Sequence, residues 1–196
     1  MNRFILSILF LAMAFMGFCQ NGQNVRLLSY IEGAQSYDEI GAITNYAILA
    51  DGEFWNVSDP FNPVMVSSVD VNYCCTILPD DQENLVYFGG EMSGLFSIVD
   101  ISNIYFPDLL SSIDFYPSMG IYGIARENDL LLLAINNLGL VSLDVSDKTA
   151  PILLDTLPII SGGYNLTRDV VLKDQIAYVA HTTGLKTVDA TNPEEL

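Results

Sequence analysis

Three aspartates invite a chemical reading. Asp100, Asp144 and Asp189 each stand two residues before a Ser or Thr and three before an Asn or Asp. Carboxylates in such a set could bind a cation or ligand in a channel. Their recurrence favours another role, because side chains of this type accept backbone N–H groups and hold tight turns. His181 is the single histidine. A metal site built on imidazole wants several, and the adjacent Cys74 and Cys75 lack the paired spacing that could replace them. No nucleophile-elbow sequence accompanies His181 to suggest a Ser–His–Asp triad. It reads as an ordinary histidine at a strand end, able to reach a loop surface. Asp80, Asp81 and Glu83 could offer oxygen ligands to Ca²⁺, but the Asp-x-Asp-x-Asp-Gly loop is missing, so a solvated hairpin turn is expected. An enzyme would need His181, Arg126 or Arg168 to converge with carboxylates in one pocket. Taken together, these residues predict no catalytic residue, no cofactor and no metal ligand.

The remaining motifs are weaker. A disulfide between neighbouring cysteines is strained and rare, so Cys74 and Cys75 read as small apolar residues in a strand, one thiol facing each way. A redox role or pairing with another chain is the alternative. Asn56-Val57-Ser58 and Asn165-Leu166-Thr167 match the N-glycosylation pattern, which matters only in a secretory pathway that uses it. The pairs Gly89-Gly90 and Gly162-Gly163 are expected at turns and show no phosphate-loop spacing.

Composition narrows the partners. The 196 residues carry 24 acidic and 7 basic side chains, a formal charge of −17. Nucleic-acid affinity comes largely from Lys and Arg neutralising phosphates, so DNA and RNA are excluded as expected partners. Docking on an anionic membrane surface is disfavoured for the same reason. With 51% hydrophobic and 16% charged residues, the chain is not an acidic disordered tail.

The first segment is expected to be an address rather than part of the fold. Arg3 precedes an apolar run, residues 4–19, that holds no charge and ends in Gly17, Phe18 and Cys19. It is shorter than the roughly 20 residues that span a bilayer and has the plan of a secretory signal peptide, residues 1–19, cut ahead of Gln20. An uncut anchor and acylation of Cys19 are the alternatives; bulky Phe18 sits where a lipoprotein signal wants a small residue. The mature chain then has no transmembrane segment and no disulfide framework, so packing must hold this exported domain together.

The elements that must position these residues announce themselves as a repeat. Trp55-Asn56-Val57-Ser58-Asp59, Val99-Asp100-Ile101-Ser102-Asn103, Leu143-Asp144-Val145-Ser146-Asp147 and Val188-Asp189-Ala190-Thr191-Asn192 align with steps of about 44 residues, read directly from the sequence. Pro63, Pro107 and Pro151 keep the same register, each followed by a matching piece, such as Val66-Ser67-Ser68-Val69-Asp70 and Leu110-Ser111-Ser112-Ile113-Asp114. An early copy, Leu28-Ser29-Tyr30-Ile31-Glu32, precedes them. Each unit reads as four short strands; in the third they are expected at residues 152–157, 167–172, 176–181 and 185–188. No helical period with caps follows residue 19.

These strands are apolar on consecutive residues, which implies burial on both faces. Four-stranded units of this length stacked face to face around an axis meet that need, and a β-sandwich would have no reason to repeat every 44 residues. The expected fold is all-β, a propeller of about four four-stranded blades. Gly94-Leu95-Phe96-Ser97-Ile98-Val99-Asp100-Ile101-Ser102-Asn103, residues 139–147 and residues 184–193 resemble the repeat of the LVIVD-repeat β-propellers of exported bacterial proteins. The resemblance extends over the chain after about residue 26, with Asn56 departing at the Asp position. It implies the fold and exposure outside the cytoplasm, and no single activity. A signal peptide at 1–19, a short leader at 20–26 and repeats over 27–196 complete the expected organisation.

By analogy with related propellers, the piece after each Pro is the outer strand of a blade and the next three strands begin another. The chain then starts with an outer strand near residues 27–32 and ends after the third strand of its last blade. Closure by pairing 27–32 with 185–190 would hide two strand edges; membership of a larger ring, by pairing with another propeller fragment, is the alternative. The expected function is that of an exported non-enzymatic module binding a protein or glycan through loops such as 91–93 and Tyr105-Phe106. The rival is a hydrolase or lyase acting on extracellular polymers.

Overall fold

Tight hairpin turns of two to four residues set the strand ends. Asn84, Asn128, Asp174 and Gln175 all take positive φ, as does Thr44, the left-handed conformation that tight hairpins require and that Asn and Asp tolerate best. In a computed structural model, residues 27–29, 39–72, 74–90, 94–115, 119–159 and 166–196 are described. Residues 27–29 fall in a first compact unit, and residues 33–196 form a second. The signal-peptide and leader segments, most of the early repeat copy, loop 91–93, Gly162-Gly163 and Asn165 lie outside the described residues.

The second unit contains four antiparallel sheets, each a meander in chain order. The first sheet comprises β1 (Ile40–Ile43), β2 (Tyr46–Leu49), β3 (Glu53–Asn56) and β4 (Val64–Ser68). The second comprises β5 (Cys74–Asp80), β6 (Leu85–Gly90), β7 (Leu95–Asp100) and β8 (Asp108–Asp114). The third comprises β9 (Ile121–Glu127), β10 (Leu130–Ile135), β11 (Gly139–Asp144) and β12 (Ile152–Leu157). The fourth has three described strands, β13 (Thr167–Lys173), β14 (Ile176–His181) and β15 (Gly184–Asp189). As expected, the strand after each Pro is the fourth of its sheet, and the chain leaves the last sheet after its third strand. The strands β1, β5, β9 and β13 meet one another from sheet to sheet and line the inner side of the stack.

Three apolar clusters lie between successive sheets. Ile48 and Phe54 of the first sheet pack with Val86 and Phe88 of the second. Tyr87, Phe96 and Ile98 on the other face of the second sheet meet Leu131, Leu133 and Ile135 of the third. Ala125, Leu132, Ala134 and Leu140 of the third meet Val170, Ala177 and Val179 of the fourth. The middle sheets are thus buried on both faces, and every residue of β6 is buried. The outer two depart from the sequence expectation: β14 alternates between buried and exposed positions, because among the described residues only one of its faces has a neighbouring sheet.

Gly89 and Gly90 are a second correction. They lie inside β6 and not at a turn. A Cβ on Gly89 would come within 2.6 Å of Thr76 Cγ2 and 2.7 Å of Ile121 Cγ2, so close packing between the second and third sheets calls for the missing side chain.

Candidate functional site

The recurrent aspartates are bound up in their own turns. Asp144 Oδ1 accepts the N–H of Ser146 at 2.8 Å, Asp100 Oδ1 that of Ser102 at 2.6 Å, and Asp189 Oδ1 that of Thr191 at 3.0 Å. Asn56, the departure from the repeat, does the same with Ser58 at 2.9 Å. The Ser146 N–H holds the Asp144 carboxyl below the usual carboxylate range, and the Thr191 N–H does so for Asp189. An amide oxygen substitutes for a carboxylate at the first copy because the contact asks only for an acceptor.

One end of the inner strands carries the hairpin turns 81–84, 128–129 and 174–175, and here charge gathers. Arg126, near the end of β9, forms ion pairs with Asp80 and Glu83 across the joint between the second and third sheets. Its Nε donates to the carbonyl of Asn128 at 2.6 Å, and its guanidinium lies 5.7 Å from the centre of the buried Tyr87 ring. Lys148 reaches Glu83 at 3.1 Å from the other side. The bond to Arg126 holds the Glu83 carboxyl below its ordinary range, while burial raises the Tyr87 hydroxyl. The turn expected to be merely solvated is therefore a clamp between sheets. The spacing of Asp80 and Glu83 was visible in the sequence, but their partner is 43 residues beyond Glu83, and no local pattern marks it.

A cleft of about 440 Å³ opens beside this clamp, lined by Leu78, Pro79, Asp81, Gln82 and Asn128 with the ion-paired residues. Among the described residues, no group of three or more His, Cys, Asp or Glu side chains is arranged to hold a metal ion.

Arg126→Met is expected to lower stability at pH 7, and the gap to wild type is expected to close in acid. The folded Glu83 carboxyl is depressed, so its contribution is present above the unfolded value of about 4.3 and is lost as pH falls through the folded value. Urea-unfolding midpoints measured between pH 7 and pH 3 read this difference. Parallel profiles for the two proteins would show that the clamp contributes nothing through Glu83.

His181 sits at the opposite end. It closes β14 opposite Thr167, the first residue of β13, and it is buried, where the sequence suggested a loop surface. Its Nδ1 accepts the N–H of Thr183 at 3.2 Å and lies 2.8 Å from that residue's hydroxyl, which puts the ring proton on Nε2. Among the described residues, neither His181 Nε2 nor Thr167 Oγ1, both buried, has a hydrogen-bond partner. The strand register keeps this histidine away from Arg126. Gly123 of β9 stands level with Asp169 of β13, which pairs with Ala180; His181 lies one residue past that level, beyond a register shift in β13, and Arg126 stands three residues to the other side. Four residues of strand separate them by about 13 Å. Arg168 instead lies 5.0 Å from the centre of the Tyr122 ring.

Cys74 is buried and Cys75 half-buried, both as free thiols. The two turn apart as expected: Cys74 Sγ bonds the carbonyl of Val71 at 3.2 Å and Cys75 Sγ that of Ile121 at 2.9 Å. Burial pushes the Cys74 thiol up to about 12, which removes the thiolate that redox chemistry would need.

The other concentration of distinctive side chains is aromatic. Phe61, in the loop between β3 and β4, is 61% exposed; Tyr105 and Phe106, in the equivalent loop between β7 and β8, are 54% and 79% exposed. Phe61 and Tyr105 occupy the same repeat position. A hydrogen bond with Tyr105 raises the Tyr46 hydroxyl above its ordinary value, so Tyr105 reaches from the second sheet's loop to β2 of the first. Ser67 of β4 adds a second tie between these sheets, its Oγ donating to the carbonyl of Ile104. Both loops are held by Asx contacts, Asp59 to the N–H of Phe61 and Asn103 to that of Tyr105. The aromatic rings are therefore displayed on braced turns.

A family model for the LVIVD repeat matches residues 125–157 and 160–196. The matched segments correspond to most of the third sheet and to the fourth, and the first two sheets follow the same strand order and register. No curated protein matches the chain. Among solved structures, the computationally designed Ika4 protein is similar with a TM-score of 0.64 and 18% identity, over 85% of this chain and 99% of that one. The periplasmic gluconolactonase PpgL of Pseudomonas aeruginosa is similar with a TM-score of 0.60 and 13% identity, over 76% of this chain and 47% of that one. The β-propeller domain of Cps50 (Swd1) from Myceliophteria thermophila gives 0.54 and 8%, over 74% and 49%. The chain thus spans about half the length of the last two. Its fold is that of a β-propeller. Among the described residues, no helix is long and apolar enough to cross a membrane.

Proposed function

We propose that this LVIVD-repeat propeller is an exported, non-enzymatic interaction module that binds a protein or a glycan. The observation that carries this reading is the exposed aromatic group Phe61, Tyr105 and Phe106 on two equivalent, braced loops. Rings held in place bind with little loss of conformational freedom, and aromatic side chains dominate the energetics of recognition surfaces. The separation of His181 from Arg126, and the use of the recurrent aspartates in turns, also favour binding over catalysis. Export rests on the signal-like segment at 1–19 and on the LVIVD repeats.

The test compares wild type with the triple variant Phe61→Ala, Tyr105→Ala, Phe106→Ala on a glycan array and on a panel of purified exported proteins. At least one ligand is expected to bind wild type and to lose tenfold or more in affinity with the variant. A wild-type protein without a ligand in either format, or a ligand held equally by the variant, overturns the reading. The glycan and protein formats separate the two ligand classes.

A further inference from the structure

Every joint between neighbouring sheets is built from the same two halves, and the chain displays one uncovered copy of each. In the joint between the third and fourth sheets, Ala125, Leu132, Ala134 and Leu140 form one half, and Val170, Ala177 and Val179 form the other. The pairing registers identify the equivalents elsewhere. Leu130 pairs with Asp144, Ile176 with Asp189 and Tyr46 with Asn56, so these three strands begin at the same repeat position. The fourth sheet therefore carries the first half again as Val171, Tyr178, Ala180 and Leu185. The first sheet carries the second half as Ile40, Ala47 and Leu49.

Both halves are open. Val171 is 57% exposed, Tyr178 41%, Leu185 70% and Ile40 65%, whereas Leu132 and Leu140, the equivalents of Tyr178 and Leu185, are fully buried. Apolar faces of this kind mark association surfaces. The first and fourth sheets belong to one chain, yet among the described residues their free faces do not cover each other. The β-propeller domain of Cps50 is matched over only 49% of its length, so this chain spans about half of such a domain.

We propose that two copies of this chain associate head to tail, the fourth sheet of each packing on the first sheet of the other, to close a ring of eight sheets. The two new joints repeat the internal ones: Tyr178 and Leu185 of one copy take the places of Leu132 and Leu140, against Ile40, Ala47 and Leu49 of the other. Closure after two copies leaves no face open, whereas an unclosed head-to-tail contact would propagate into filaments.

Sedimentation and light scattering of the purified full chain test this directly. The expected mass is twice that of one chain. Tyr178→Glu and Leu49→Glu each place a charge in both joints and are expected to weaken association at least a hundredfold, with far-ultraviolet dichroism unchanged. A mixture of these two variants is expected to regain dimers. One joint then carries both substitutions, while the other, between the fourth sheet of the Leu49→Glu chain and the first sheet of the Tyr178→Glu chain, is wild type. Wild type that stays a single chain, a mass that climbs beyond two copies, or a dimer insensitive to both substitutions overturns the proposal. So does a mixture with no more association than its parts. Should either glutamate variant fail to fold, Leu185→Ser, at a position 70% exposed, supplies the sheet-four side of the same comparison.

Discussion

Valine at position 123 is expected to drive the third and fourth sheets apart. A Cβ placed on Gly123 would lie 2.7 Å from the Cα of Asp169 and 2.8 Å from the backbone nitrogen of Val170. Side chains can rotate away from an intruding methyl group, but backbone cannot, and this backbone belongs to the middle of a paired strand. Overpacking costs about 1–3 kcal/mol when the surroundings can yield, so Gly123→Val is expected at or above the upper end, a fall in melting temperature of roughly 6–12 °C for a chain of this size. Gly184→Ala separates the causes. Gly184 has φ of +116° and nothing within 4 Å of the added Cβ, so its variant measures conformational strain without a clash. Thermal melts in which Gly123→Val costs no more than Gly184→Ala would show that the sheets can separate freely at the inner strands.

The contrast between these glycines also shows what could be read in advance. The 44-residue register, the strand order and the outer position of the strand after each Pro were legible because they follow from local patterns: turn residues, runs of apolar side chains and a repeated Asp-x-Ser. The turn role of Asp100, Asp144 and Asp189 was legible for the same reason, since acceptor and donor are two residues apart. Gly89 and Gly123 were not. Their roles depend on which backbone or side chain stands opposite in the next sheet, and Asp169 is 46 residues from Gly123. The clamp of Arg126 on Asp80 and Glu83 has the same character. His181 was placed correctly at a strand end, but its burial depends on the packing around β13, which no local spacing encodes. The uncovered faces of the first and fourth sheets are the sharpest case. Their second strands, β2 and β14, are as rich in apolar residues as β6, and composition reports the capacity to be buried rather than the presence of a neighbour.

Leu140 and Leu185 turn that distinction into a measurement. They occupy one repeat position, each following a glycine that opens the third strand of its sheet and pairing with an alanine in the second, Ala134 and Ala180 respectively. Leu140 is fully buried in the cluster between the third and fourth sheets, while Leu185 is 70% exposed. Truncating a buried leucine removes its transfer free energy and leaves a cavity, a cost of about 2–5 kcal/mol. Relaxation is limited here because Leu140 is held between β-sheets whose backbones are fixed by their ladders, which places Leu140→Ala toward the upper part of that range. Leu185→Ala, at concentrations where the chain is a monomer, removes a side chain already in water and is expected within about 0.5 kcal/mol of wild type. Urea unfolding read by the fluorescence of Trp55 gives both values. Equal costs would mean that the face bearing Leu185 is covered within the single chain, and the four sheets would then have to close on themselves. A small cost for Leu185→Ala at low concentration, growing as the protein is concentrated, is the result expected when the missing neighbour is a second copy.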